Sequence, residues 1–491
     1  MFPELILGFK KRFFIFVLGA SMTKAASKFN TNSFTEWKIS KLLLHFSIPC
    51  VLSLLVGALY NIVDQIFVGQ GVGYLGNAAT NVVYPMTVIG LGFAYLLGDG
   101  CAAYLSISLG KGEKEKGSKA VANVLIILLI ISALIMTIGF CFQDQLLYFF
   151  GATDTCLDYA RTYFRIILSG MFFYILSSGL NSIIRADGSP SYAMISMVSG
   201  AVLNLIMDPI AIFGLNLGIA GAAYATILSQ LVTFLISLIY LWHSKTFKLS
   251  LSSFKFNPSI LKDVVVLGVS SCITQLSIVI TCVVTNHIMI TYGANSEYGS
   301  DIPLAVMGIV MKVFSIVIAI ILGISVGGQP IIGFNYGAKR YDRVLKTFKI
   351  IIISVGIVGL IATIVFEALP QYVILLFGVK GEEYTKFSIL CFRIYLGGIF
   401  LTCLQKSSCI FLQALGKPVK AIILSLIRDT ISLIPAVLIL PLFLGIEGAL
   451  WSGPFSDVIA GIVTFIIVVI ECRHLSILAK EDNNTALKSN T

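Results

Sequence analysis

Long apolar runs separated by short polar segments dominate this chain. Runs of spanning length fall near 42–68, 78–108, 120–142, 160–184, 192–213 and 219–243. After the polar, basic stretch Ser244 to Lys262 they resume near 263–292, 303–333, 347–369, 386–413, 419–443 and 448–472. A bilayer core is crossed by about 20 apolar residues in a helix, and a helix satisfies its backbone polar groups within the segment. The pattern therefore predicts an all-α polytopic membrane protein of twelve transmembrane helices, six on each side of one central loop.

The two sets of six repeat. Phe164-Arg165-Ile166 recurs as Phe392-Arg393-Ile394, and Arg185-Ala-Asp-Gly188-Ser-Pro190 as Gln413-Ala-Leu-Gly416-Lys-Pro418. Gly218-Ile-Ala-Gly221-Ala222 recurs as Gly445-Ile-Glu-Gly448-Ala449, and Leu109-Gly110-Lys111 as Tyr336-Gly337-Ala338, always at an offset of 227–228 residues. An even number of helices per half brings both halves in from the same side, so the repeats are parallel and a substrate would bind between them. The expected organisation is an N-terminal extension (1–35), a first lobe (36–243), a linker (244–262), a second lobe (263–475) and a tail (476–491). Within the extension, Lys10-Lys11-Arg12 before a short apolar run imitates a signal peptide, and Met22 offers an alternative start.

Composition agrees: 57% of the 491 residues are hydrophobic and only 12% charged. A net charge of +10 would suggest nucleic acid in a soluble chain, but here the basic residues sit in short loops. Lys111, Lys114, Lys116 and Lys119 follow span 2, and Lys245, Lys248, Lys255 and Lys262 fill the linker. Lys339, Arg340, Arg343, Lys346 and Lys349 follow span 8, and Lys417 and Lys420 follow span 10. The alternate loops are richer in Asp and Glu. By the positive-inside rule both termini are cytoplasmic. No nucleic-acid partner is expected. The ten cysteines lack metal-ligand spacing, the four histidines likewise, and no phosphate-binding Gly-Lys-Ser/Thr loop occurs, so neither an enzyme nor a cofactor is indicated.

Charges inside the spans carry the chemistry. Asn204 and Asp208 lie four residues apart in an apolar run, on one helical face. In the first span Pro49 precedes Tyr60-Asn61-Ile-Val-Asp64, with Asn61 and Asp64 also sharing a face. Pro49 either permits a hinge or only sets a packing angle. A carboxylate in hydrocarbon costs several kcal/mol (roughly 2.5–3.5 on insertion scales) and usually marks a cavity or ion path. By depth, Asp64, Asp208, Asn204 and Thr226 of span 6 can meet. Two desolvated carboxylates repel, so the pair would hold a proton or, with the Asn204 and Thr226 oxygens, a dehydrated sodium ion. The repeat places Ser432 and Ala436 where Asn204 and Asp208 stand, so this chemistry belongs to the first half. Asp99, in Gly98-Asp99-Gly100, either joins a polar path or serves packing. Lys312, Lys406, Arg428, Asp429 and Asp457 lie in the second half, and adjacent Arg428 and Asp429 should point apart toward separate partners.

Taken together, Leu59-Tyr60-Asn61-Ile62-Val63-Asp64, Pro49 fifteen residues before Asp64, Asn204-x-x-x-Asp208-Pro209 and Gly218-x-x-Gly221-Ala222-Ala223-x-Ala225-Thr226 resemble the multidrug and toxic compound extrusion (MATE) family, in its DinF/MepA-like bacterial branch. The resemblance covers about residues 36–475. It implies a V-shaped pair of six-helix bundles in the bacterial inner membrane, working as a monomer. Such a protein would export amphipathic, cationic compounds in exchange for H⁺ or Na⁺. The implied ion-coupling residues are Asp64, Asn204, Asp208 and Thr226; Tyr60, Asn61, Tyr163 and Asn181 would line the drug cavity, with Pro49 as hinge. The alternative within the superfamily is a lipid-linked saccharide flippase, which would favour a cavity rich in Arg and Lys.

Overall fold

The computed structural model describes residues 33–152, 154–299, 301–375 and 382–489; most of the expected extension, residues 1–32, lies outside them. After a single turn at Ser33–Glu36, the first half comprises α1 (Ile39–Gly71), α2 (Tyr74–Gly110), α3 (Lys114–Cys141), α4 (Leu157–Ala186), α5 (Pro190–Pro209) and α6 (Gly218–Tyr240). The second half opens with α7 (Pro258–Gly293), α8 (Asp301–Gly337) and α9 (Tyr341–Ala368). Next comes α10, in two pieces (Glu382–Tyr395 and Ile399–Ala414) bent by 47°. Then α11 starts at Pro418, passes through a π turn at Ile427–Ser432 and runs on to 444, and α12 occupies 446–489.

The last two helices abut without an intervening loop, yet they are two spans. Gly445 adopts φ 59° and ψ −142°, a left-handed conformation that reverses the chain. Beyond the turn, Glu471 of α12 returns to bond Lys417 and Lys420 at the start of α11. Gly218 holds the equivalent position before α6, with φ 55°. Two residues of the repeated motif explain themselves similarly: a Cβ on Gly221 would lie 2.8 Å from the Ala211 carbonyl oxygen, and one on Gly448 would overlap that of Leu440. The repeated glycines thus permit the same tight hairpin twice.

Proline begins α5, α7 and α11, where its missing N–H costs nothing. At α7, Asn257 also caps, accepting from the Ser259 and Ile260 N–H groups at 3.1 and 3.2 Å. Asp187, just past α4, ties the linker down: it accepts from the Lys245 and Thr246 N–H groups, the Thr246 hydroxyl and the Tyr240 hydroxyl. Burial pushes its carboxyl up, and these donors pull it back.

Three features depart from the pattern of apolar runs. The tenth span breaks at 396–398, where the Asp457 side chain of α12 occupies the space a Gly398 side chain would need. Short helices, Gln143–Phe149 and Pro370–Leu375, lie between α3 and α4 and between α9 and α10, 227 residues apart at their starts. Helix α12 continues to Ser489 instead of ending near the membrane boundary.

The halves join through α1 and α2 against α7 and α8. Their backbones touch at the end of the bundle that carries the basic loops. A Cβ on Gly100 would overlap the Val264 carbonyl oxygen, one on Gly268 that of Leu96, and one on Gly110 that of Phe334. On α8, Gly323 and Gly327 press on Val51 and Ser47 of α1, and the Ser47 hydroxyl donates to the Ile324 carbonyl at 3.1 Å. Farther along, Gly57 of α1 and Gly308 of α8 face open space. The two halves are in backbone contact at the basic end.

Candidate functional site

Helices α1, α4, α5 and α6 pack side by side in the first half. Their inward faces bring Asp64, Tyr163, Asn204, Asp208 and Thr226 together. Asn204 and Asp208 are each only 1% exposed. The four-residue spacing acts as expected: Asn204 Nδ2 donates to Asp208 Oδ1 at 3.2 Å, and reaches Thr226 Oγ1 at 3.5 Å. The Asp64 and Asp208 carboxyls lie within hydrogen-bonding reach of one another. Tyr163 reaches the Thr226 hydroxyl, and the Tyr60 phenol sits in the field of both acids.

One oxygen on each acid, Asp64 Oδ1 and Asp208 Oδ2, is buried with no donor of its own. Buried polar atoms are rarely left so, and two facing carboxylates cannot both stay ionised without something between them. A shared proton or a small cation coordinated by oxygens fits that gap. Among the described residues no cluster of three or more His, Cys, Asp or Glu side chains could hold a metal, so any cation there would rest on two carboxylates plus neutral oxygens.

The remaining expected site residues are distributed more widely. Asn61 is exposed on α1, its amide donating to the Gly57 carbonyl at 2.8 Å. Pro49 is buried, and α1 runs through it as one helix. Asn181 lies apart from the carboxylate pair. It donates to the Ala193 carbonyl at 3.0 Å and accepts from Arg185.

That arginine opens a second network. Asp99 accepts from Ser182 of α4 at 2.6 Å and from Ser271 of α7 at 3.0 Å, with Arg185 at 3.8 Å. Gln413 of α10 in turn donates to Ser271 at 3.1 Å. Asp99 therefore links the halves beside the Gly100–Val264 contact, which the Gly-Asp-Gly pattern hinted at without revealing its partners.

In the second half Arg428 and Asp429 each find a separate partner as expected, but they do not point apart. They bond each other at 2.7 Å, within the π turn at Ile427–Ser432, where the spacing departs from that of an ordinary helix. Arg428 also bonds Asp457 of α12 at 2.8 Å, Lys406 of α10 bonds Asp429, and Thr402 donates to Asp457 at 2.7 Å. Two cations and two anions neutralise each other within this buried cluster.

Comparison with known proteins agrees with this geometry. A family model described as MatE matches residues 49–210 and 276–438; the second match starts 227 and ends 228 residues after the first, the offset of the repeat. The chain is 26% identical over 440 residues to the multidrug export protein MepA of Staphylococcus haemolyticus, covering 89% of this chain and 94% of that one. Among solved structures, a multidrug resistance MATE transporter described in an outward-facing conformation superposes with a TM-score of 0.83 at 26% identity, over 92% of this chain and 99% of that one. A transporter from Pyrococcus furiosus, whose binding pocket is described as reversed in polarity, gives the same values. With both halves matched by the family model and the twelve-helix fold shared, the chain belongs to the MATE family of membrane transporters.

Proposed function

We propose that this protein is a multidrug efflux antiporter that exports amphipathic, cationic compounds in exchange for inward-moving H⁺ or Na⁺. The observation that carries this reading is the facing Asp64–Asp208 pair, each with a buried oxygen lacking a donor. A proton or sodium ion there neutralises a pocket that otherwise attracts a cationic drug, so ion and drug compete for the same charge. Taking the basic end as cytoplasmic, the closed seam at that end makes this the outward-open form, from which drug leaves and the ion enters. Residues 36–243 and 263–475 then act as two lobes that rock about the seam, with residues 244–262 joining them. One positive charge entering down an inside-negative potential near 100 mV supplies about 2.3 kcal/mol.

Ethidium transport in inverted vesicles, energised by ΔpH or ΔpNa separately, tests the proposal. Wild type should respond to one gradient, and Asp208→Asn should lose at least ten-fold of that response. Transport that survives in the Asp64→Asn/Asp208→Asn double variant would overturn the assignment of the ion site. The flippase alternative is less well supported: Lys406 and Arg428 are neutralised by Asp429 and Asp457, leaving few free cations for a pyrophosphate.

A further inference from the structure

Asp99 has no part in the export reading, yet both of its carboxylate oxygens are bonded. It lies eleven residues, roughly 16 Å, inside the basic end of α2. Oδ1 accepts from the Ser182 hydroxyl of α4 at 2.6 Å, and Oδ2 from the Ser271 hydroxyl of α7 at 3.0 Å. Each serine is held in turn from its own half. Arg185 Nη2 donates to Ser182 Oγ at 2.9 Å, and Gln413 Nε2 donates to Ser271 Oγ at 3.1 Å. A hydroxyl that accepts from such a donor has its single proton left to aim at the carboxylate.

Arg185 and Gln413 occupy equivalent places in the repeat, 228 residues apart and each three before its glycine, Gly188 or Gly416. The halves therefore reach one carboxylate from matching positions, through one serine each. The serines themselves do not match: Ile410 stands where the repeat would put a second Ser182, and the second arm borrows its hydroxyl from α7.

The two arms differ in what parting the halves would do to them. Ser182 and Arg185 belong to the same half as Asp99, with Arg185 Nη2 3.8 Å from Oδ1, so the carboxylate keeps its counter-charge. Ser271 keeps Gln413, which is also anchored to the Leu267 carbonyl at 3.0 Å. Within this network one bond crosses from half to half, and breaking it strands no buried charge. We propose that the Ser271–Asp99 bond is a latch of the transport cycle, with Asp99 as its positioning residue. It holds the basic end shut while drug leaves at the other end, and it releases when that end opens for loading. This inference rests on the export reading above.

Hydrogen–deuterium exchange of the full chain in lipid nanodiscs, read by mass spectrometry, tests the latch. Ser271→Ala removes the bond that crosses the seam, whereas Ser182→Ala removes a bond of the same chemistry that does not. Ser271→Ala should speed exchange at residues 96–110 of α2 and 258–272 of α7 about ten-fold, as expected for one hydrogen bond to a charged group. Ser182→Ala should leave those segments at the wild-type rate, and so should Ser271→Thr, which keeps the hydroxyl. Exchange in Ser271→Ala equal to wild type would overturn the proposal. Equal acceleration by Ser182→Ala would also overturn it, since Asp99 would then serve packing alone. The exchange needs no substrate, so either result leaves the export reading standing; that reading falls instead if wild type moves no cationic dye under any gradient.

Discussion

Arg428 holds two carboxylates at once, and its guanidinium fork suits that task better than an ammonium would. Replacing it by methionine keeps the volume but strands Asp429 and Asp457 in a buried cluster with Lys406 alone. Removing one partner from such a cluster costs roughly 3–5 kcal/mol. Arg428→Met should therefore lower the midpoint of thermal unfolding in detergent, followed by fluorescence-detected size exclusion. An unchanged midpoint would mean that the cluster is solvated. The sequence announced these residues but not their pairing, since adjacent helical residues do not normally face one another and the π turn at Ile427–Ser432 gives no sign in the pattern of apolar runs. Asn204 and Asp208 were easier to read. They stand four apart in an ordinary helix, and the observed 3.2 Å bond follows from that spacing. Asn181 shows the reverse limit: its helix was legible, but its bonds to Arg185 and the Ala193 carbonyl were not.

Among the helices, the seam between α2 and α7 is built from backbone against backbone. Gly268 packs on the Leu96 carbonyl and Gly100 on that of Val264, with Asp99 and Ser271 bonded alongside. A valine at Gly268 has no flexible side chain opposite it to push away, so the helices must separate. Spin labels on exposed Lys111 and Lys339, near the basic ends of α2 and α8, should then report longer distances in Gly268→Val than in wild type. Equal distance distributions would show that the seam yields without opening. Helix number and order could be read from apolar runs because each span must satisfy its own backbone. The break in α10 could not, since the Asp457 side chain that lies against Gly398 at the break is distant in sequence. The hairpin at Gly445 was foreshadowed by its counterpart at Gly218 in the repeat.

For the molecule as a whole, orientation rests on loop charge. Cys141 ends α3 at the end opposite the basic loops and is exposed. With the basic end inside, a variant retaining only Cys141 should react with a membrane-impermeant maleimide added to intact cells. Reaction only after permeabilisation would invert the topology. The buried cluster of the second half has a bearing on synthesis as well. Lys406, Arg428 and Asp429, and Asp457 lie on the tenth, eleventh and twelfth helices and so leave the ribosome in that order. Until Asp457 arrives, Arg428 and Lys406 have only Asp429 to share between them. An unpaired basic residue at mid-bilayer costs roughly 2.5–3.5 kcal/mol on insertion scales. A chain cut short before Asp457 would therefore leave two cations sharing one carboxylate within the membrane, an excess of one positive charge.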